Sequence, residues 1–385
     1  MITELSLSNF KCYRSQTFTF GGLTVFCGNN SVGKSTAIQA LAMPFQSKFS
    51  KEITLNGDLV TLGTSADIFS RHASNGDEHI NVTLRIQSAK SKKSHELSWG
   101  FDSFSEQKDL SNHLILKSDN ASTLSRVADG YFKKYGFQFI EAERYGPREF
   151  FSMNRQESII NWLGSKGQFS YEVYSRLDES GERLPEGDFR THQDAKNNSS
   201  IRRNINYWMS EISPGFSAEP EIVKGAGVSY AQFQAFGSSK TMPLNMGFGL
   251  SYALSIVISL LVTKPGGLVV IENPEAHLHP RGQSYLGRLI ALTALSGVQV
   301  IVETHSDHLL NGIRVIARLL PEYKKGIFKI YYISSMWGKQ SNVDEIDIGI
   351  KGELSKWPAG FFDQQAYDIK TIIKGEEPLS IEVKR

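Results

Sequence analysis

Apolar and polar positions alternate at the start of the chain. Ile2, Leu5, Leu7 and Phe10 open a strand, and Phe18, Phe20, Leu23, Val25 and Phe26 make another strand or pair of strands. Ala37 to Phe45 reads as a helix, and residues 46–80 are mixed and turn-rich. Ile80, Val82, Leu84 and Ile86, then Leu97, Trp99 and Phe101, alternate on either side of the polar run Ser88–Ser94, the pattern of a hairpin. Residues 104–135 are weakly patterned, with a helical stretch from Leu124 to Tyr135, and Gly136 to Ile140 is strand-like. The stretch 148–240 is the most polar and least periodic. Within it Asp178 to Ser200 is expected to be a mobile loop, and Arg202 to Ile212 an amphipathic helix. From Pro243 the pattern sharpens. Tyr252–Val262 is an apolar helix, Leu268–Ile271 a buried strand, Gly282–Leu295 a helix, Val298–Val302 a second buried strand and His308–Leu319 a helix. Strands alternating with helices at this spacing predict an α/β fold with a parallel sheet.

Residues 28–36, Gly-Asn-Asn-Ser-Val-Gly-Lys-Ser-Thr, match G-x-x-x-x-G-K-S without a mismatch and sit between a predicted strand and a predicted helix. Gly28 and Gly33 allow the tight turns. Asn29 and Asn30 lie in the loop, and backbone N–H groups from Asn30 to Ser35 can wrap a β-phosphate at the helix N-terminus. Lys34 offers a cation to the β/γ-phosphates, and Ser35 offers a hydroxyl to Mg²⁺, with Thr36 beside it. ATP and Mg²⁺ are therefore the expected ligands.

Three further segments belong with this loop. Leu268-Val-Val-Ile-Glu-Asn-Pro-Glu275 is an apolar strand ending in a carboxylate, and Glu272 suits the Mg²⁺ shell. Val300-Ile-Val-Glu-Thr-His305 is a second such strand, whose His305 falls where open α/β sheets bind ligands. Asn245-Met-Gly-Phe-Gly-Leu-Ser251 precedes an apolar helix, and Gly247, Gly249 and Ser251 could form an anion cradle.

The bulk numbers narrow the picture only slightly. The 385 residues carry a net charge of +2, with 40% hydrophobic and 21% charged residues. That is ordinary for a soluble globular protein and argues against wholesale nucleic-acid binding while leaving local basic patches open. Candidate patches are Lys90, Lys92 and Lys93 in the Ser88–Ser94 run, and Arg202-Arg203. Cys12 and Cys27 fall in expected core strands and read as buried thiols in a reducing compartment. The N-terminus has no signal-peptide pattern, and the longest apolar stretch, Tyr252–Val262, is too short to span a bilayer. A cytoplasmic location with no membrane contact is expected.

Taken together these residues resemble the ATP-binding-cassette (ABC) class of ATPases, in particular its DNA-maintenance branch of RecF, the SMC proteins and the overcoming-lysogenisation-defect (OLD) family. The opening Leu5-Ser-Leu-Ser-Asn-Phe-Lys-Cys-Tyr13 is similar to that branch's N-terminal strand, whose Asn-Phe-Lys/Arg element brings Lys11 near the nucleotide. Ile271-Glu-Asn-Pro-Glu-Ala-His-Leu-His-Pro280 is similar to a segment of the OLD-like ATPases. A stand-alone bacterial subfamily of unassigned function is similar in Ile271–His277, Glu303–His308 and Trp357–Asp363, and in outline in Glu143–Pro147. The resemblance implies an ATPase head with a mixed sheet, flanking helices and a long insertion between the phosphate loop and the signature motif. Residues 1–49 and 241–385 would be the core, and 50–240 a β-hairpin and helical lobe. It also implies that Glu272 is the Walker B acid, His305 the switch histidine and Asn245–Ser251 the signature motif. Two copies would sandwich ATP as a homodimer or higher homo-oligomer and gate a separate effector, a nuclease in the first instance, with DNA as a candidate ligand, in antiphage defence or DNA processing.

Two departures matter. The position after Glu272, where this class carries the glutamate that polarises water, is Asn273. An amide cannot act as a base, so Glu275 is the expected substitute, or turnover is slow and ATP acts as a switch. That second possibility defines the alternative, an ATP-locked scaffold. Residues 306–385 contain Asp344, Glu345 and Asp347 but no glycine-rich acid cluster of the Toprim kind, so no intrinsic nuclease is expected.

Overall fold

The structure is a computed structural model that describes residues 1–87, 93–103, 112–118, 121–155, 159–195, 197–234, 237, 239–335 and 340–375. The chain opens with β1 (Ile2–Phe10) and β2 (Tyr13–Thr19), then β3 (Leu23–Gly28), the phosphate loop and α1 (Lys34–Gln46). Next come β4 (Glu52–Thr54), the short α2 (Ser65–Ile68), β5 (Ile80–Gln87), β6 (Ser94–Phe101) and β7 (His113–Leu116). The helix α3 (Ala121–Asp129) runs through a π-helical turn, Gly130–Tyr135, into β8 (Phe137–Ile140). The middle holds β9 (Phe151–Ser152), α4 (Ser170–Ser180), α5 (Ile201–Ile212), β10 (Ser217–Val223) and β11 (Val228–Gln234). The last part is α6 (Phe248–Val262), β12 (Leu268–Glu272), α7 (Pro280–Leu295), β13 (Gln299–Glu303), α8 (Asp307–Leu319), β14 (Phe328–Ser334), β15 (Asn342–Asp347) and α9 (Gln364–Lys374).

A central sheet runs in the order β15-β14-β3-β13-β12-β8. All of its pairings are parallel except that of β15 with β14. An antiparallel sheet, β2-β1-β5-β6-β7-β4, lies across α1 from it, and a small third sheet is β10-β11-β9. Strand alternation sets the layers. Val25 and Cys27 of β3 face a core shared with α4 to α8, while Phe26 faces a second core made by α1 and the antiparallel sheet. Because α1 lies between two sheets it is apolar nearly all round, with Ala37, Ile38, Ala40, Leu41, Met43 and Phe45 all buried. The two sheets are joined by a buried amide: Gln299 accepts from the Ile2 N–H at 2.9 Å and donates to the Ile2 carbonyl at 2.7 Å.

Both sheets cross the division expected at residues 50 and 240. The 80–101 hairpin completes the antiparallel sheet through β1, and β8 pairs in parallel with β12. The alternation that announces β5 and β6 is local, but the strand that each joins is set by burial elsewhere in the chain. The helix expected at Tyr252 begins earlier, at Phe248, and is sheathed on nearly every side; its Ser255, Ser259 and Thr263 hydroxyls donate back to helix carbonyls. Among the described residues no helix is long and apolar enough to cross a membrane.

The segment 178–200, expected as a mobile loop, is anchored instead. Arg190, 1% exposed, plugs the C-terminal end of α6, donating to the carbonyls of Leu260 at 2.9 Å and Thr263 at 2.7 Å. Its charge is met by Asp188 at 2.6 Å, which also accepts from Ser296 at 2.8 Å. Burial alone would push the Asp188 carboxyl up, but the Arg190 bonds outweigh it and hold the group below its usual value. Arg190→Met should leave Asp188 buried and unpaired and cost about 3–5 kcal/mol. Urea unfolding would measure this, and adding Asp188→Asn should recover part of the loss; a variant as stable as wild type would show that the plug is dispensable.

Candidate nucleotide site

The phosphate loop leaves the C-terminal end of β3, between the parallel neighbours β13 and β14. Gly28 (φ +137°) lies so close to the Ile333 carbonyl of β14 that a side chain would collide with it. Asn29, Asn30 and Ser31 are exposed, and Gly33 caps α1. The Lys34 ammonium is folded onto the loop, donating to the carbonyls of Gly28 at 3.1 Å and Asn29 at 2.5 Å. Burial lowers its pKa, and the nearby Glu303 charge opposes that shift. The β1–β2 turn braces the loop from behind: the Tyr13 hydroxyl donates to the Gly33 carbonyl at 3.0 Å, and the Cys12 thiol lies 3.7 Å from the Thr36 hydroxyl. Cys12 is thus half-buried in a turn rather than in a core strand, while Cys27 is buried; both are free thiols. Lys11, expected near the nucleotide, sends its ammonium to Gln39 on α1 at 2.7 Å. A positive φ of 51° at the turn aims it along the flank of the helix.

Two carboxylates face the loop from adjacent strand ends. Glu272 and Glu303 are register partners at the ends of β12 and β13. With a side-chain period of 2, they fall on the same side as Val270 and Ile301, toward α1. The strand nearer the loop is β13, so Glu303 makes the contact: Ser35 Oγ donates to its two oxygens at 3.1 and 3.0 Å, and Lys34 Nζ lies 3.9 Å away. Glu272 instead accepts from the Ala142 N–H at 3.1 Å. Burial pushes the Glu272 carboxyl up to about 7; the Ala142 N–H opposes this and the Glu303 charge adds to it. Burial raises Glu303 too, against the pull of Lys34 and Ser35. A hydroxyl and two crowded carboxylates are hard oxygen donors whose mutual repulsion a small divalent cation would relieve, so this donor set fits Mg²⁺.

The turn after β12 is held by backbone bonds. Asn273 adopts φ +46°, a conformation that asparagine tolerates, and its N–H donates to the Glu303 carbonyl at 2.8 Å. Both Glu275 oxygens are engaged, one by the Thr304 hydroxyl and one by the His305 N–H, each at 2.7 Å. Glu275 therefore positions the β13 turn. The His305 side chain lies beside Lys34; partial desolvation and the Lys34 charge lower its pKa, and the Glu275 charge opposes them.

Arg144 ties these turns together. Buried, it donates to the carbonyls of Glu141 at 2.9 Å, Glu272 at 2.6 Å and Asn273 at 2.7 Å, and its guanidinium lies 5.2 Å from the Tyr252 ring centre of α6. Burial lowers its pKa to about 10, against the pull of Glu275, Tyr252 and Glu272. At the start of α6, Asn245, Gly247 and Phe248 are exposed, whereas the Ser251 Oγ is buried beside the Tyr171 phenol. Asn245 donates to the Thr241 hydroxyl at 3.2 Å, and Gly249 packs against the His277 carbonyl. The structure thus brings Gly28–Thr36, Glu272, Glu275 and His305 around one set of parallel strand ends, and places the Asn245–Ser251 turn on α6, beyond Arg144. Asp344, Glu345 and Asp347 sit on β15, paired with Lys356, Lys329 and Lys325.

Sequence reasoning singled out neither Glu303 nor Arg144. For Glu303 a signal existed: it ends an apolar strand as Glu272 does, and parity with Ile301 puts it on the loop side. For Arg144 none existed, since two of its three carbonyl partners, Glu272 and Asn273, lie more than a hundred residues away.

Comparison with known proteins follows this geometry. A family described as "AAA ATPase domain" matches residues 1–99, and one described as "AAA domain, putative AbiEii toxin, Type IV TA system" matches residues 154–311. "Protein of unknown function (DUF3696)" matches residues 328–372. No curated protein matches in sequence. Among solved structures, an SMC head bound to the C-winged helix domain of ScpA is 15% identical, covers 89% of this chain and 97% of its own, and has a TM-score of 0.53. An SMC head with an extended coiled coil, bound to the C-terminal domain of ScpA and derived from Pyrococcus furiosus, is 14% identical, covers 97% and 99%, and has a TM-score of 0.54. The fold is that of an SMC head domain. The two AAA models match separate stretches of the chain, and each covers less than half of it.

Arg144→Lys should cost about 2–4 kcal/mol, because one ammonium cannot serve three separated carbonyls and the remainder stay buried without a donor. Urea unfolding of the variant checks this; wild-type stability would mean that the clamp is not needed.

Proposed function

We propose that this chain binds Mg²⁺–ATP and hydrolyses it as an ATPase that pairs with a second copy and gates a separate effector, a nuclease, in antiphage defence or DNA processing. The observation that carries the reading is the convergence of Lys34, Ser35 and two strand-end carboxylates at the mouth of the phosphate loop. Lys34 would leave its loop carbonyls for the β/γ-phosphates, Ser35 and Glu272 would hold Mg²⁺, and His305 would face the γ-phosphate. Bound Mg²⁺ would neutralise the phosphates.

The exposed turn at the start of α6 supports an ATP-bridged pair, in which Asn245 and Gly247 meet the partner's nucleotide. Ser251 is a poorer candidate, since its Oγ is turned inward. The ScpA-bound SMC heads support a partner protein, and the toxin–antitoxin wording of the family matching 154–311 supports a defence role. For DNA, the supporting feature is a cavity of about 420 Å³ lined by Arg183, Arg202 and Arg203, where Arg202 pairs with Asp178 at 2.7 Å. Lys90 and Lys92 lie outside the described residues.

A second reading, an ATP-locked scaffold with little turnover, is favoured by Asn273 and by the engagement of both Glu275 oxygens. ATP turnover by wild type, Lys34→Ala and Glu275→Gln, each with and without double-stranded DNA, separates the two. The ATPase reading expects wild-type turnover raised by DNA, and at least a ~100-fold loss in Lys34→Ala. Tight ATP binding without turnover would favour the scaffold.

Pairing has its own test. Gly247 has open space where a side chain would go, so Gly247→Gln should fold normally. Light scattering should show an ATP-dependent dimer for wild type and a monomer for the variant, with turnover at least ~10-fold lower. Unchanged pairing and turnover would sink the composite site.

A further inference from the structure

Glu303 is held from both sides by backbone hydrogen bonds. Its carbonyl accepts from the Asn273 N–H at 2.8 Å, and on the other side the next residue, Thr304, donates to the Phe26 carbonyl at 3.0 Å. The strand end is thus pinned between β12 and β3, and the residue is 5% exposed. It takes the Ser35 hydroxyl on both oxygens. A hydroxyl has one proton and two lone pairs. With the proton committed to Glu303, the lone pairs turn away from the carboxylate, toward the open side of the loop.

The geometry points to Glu303 as the positioning residue that orients Ser35 toward a divalent cation, which Glu272 faces from the next strand. This rests on the nucleotide reading above and refines it: the strand-terminal acid at 272 does not hold the phosphate-loop serine, and the acid at 303 does. Partners that orient a metal ligand and raise its basicity are worth 10–100-fold in metal affinity. The competing role for Glu303 is a simple counter-ion for Lys34, which it approaches no closer than 3.9 Å. A counter-ion would tune nucleotide affinity with or without metal, whereas a Ser35-orienting acid acts only when metal is present.

The test uses the full-length protein, a fluorescent ATP analogue and Mn²⁺ as a spectroscopic stand-in for Mg²⁺. Nucleotide affinity is measured in EDTA and in Mn²⁺, and Mn²⁺ affinity is read by electron paramagnetic resonance at saturating ATP. For Glu303→Gln, Mn²⁺ affinity should fall about 10–100-fold, while EDTA nucleotide affinity stays the same or tightens as a negative charge leaves. Glu303→Asp should recover part of the loss. In a Ser35→Ala background, Glu303→Gln should add little further loss, since its route to the metal is gone. Unchanged Mn²⁺ affinity in Glu303→Gln, or full additivity with Ser35→Ala, overturns the assignment. Should Glu303→Gln fail to fold, Ser35→Ala and Glu303→Asp decide: both must weaken Mn²⁺ binding, and wild-type affinity in either overturns it. Wild type that binds the analogue in neither condition would overturn the nucleotide reading itself. Binding with no metal dependence would overturn only the role of Glu303.

Discussion

The site depends on the confinement of β3. Parallel pairing on both flanks, with β13 on one side and β14 on the other, leaves the strand no freedom to slide or twist, so the loop at its end starts from a fixed point. The α1 helix is fixed equally well, because it is buried between two sheets and presents apolar residues to both. A loop held at both ends can keep its backbone N–H groups convergent without a ligand. Its side chains are then satisfied internally, Lys34 by the carbonyls of Gly28 and Asn29, and Ser35 by Glu303. Any anion that enters competes with partners already in place.

What could be read in advance follows the range of the interactions. The phosphate loop, the strand ending at Glu272, the strand leading to His305 and the helices after Pro243 are defined by local spacing, and they lie where that spacing puts them. The same logic supports the 80–101 hairpin, whose alternation is unbroken. Reading fails where a residue's role depends on something distant. The polar run 178–200 has the composition of a loose loop, yet Arg190 makes it the cap of a helix that lies sixty residues further on.

Glu303 is the instructive case. Glu272 and Glu303 end similar apolar strands, and spacing alone gives no reason to prefer one over the other as the partner of Ser35. Strand order decides: β13 lies between β12 and β3, and strand order is a property of the sheet. Arg144 belongs to the same category from the opposite side, since its side chain reads three carbonyls and no side-chain pattern could announce them.

One contact between helices has a mechanical meaning. Where α7 crosses α8, a side chain at Gly287 would strike the Leu309 carbonyl and one at Gly312 would strike the Ser284 carbonyl, so the two backbones touch directly. Each helix is the continuation of one acid-bearing strand, α7 after β12 and α8 after β13. The glycines let the two backbones pack without intervening side chains, so the units that carry Glu272 and Glu303 are joined at the helices as well as in the sheet. Any change in the crossing of α7 and α8 would therefore have to pass through a contact where neither backbone has room for a side chain.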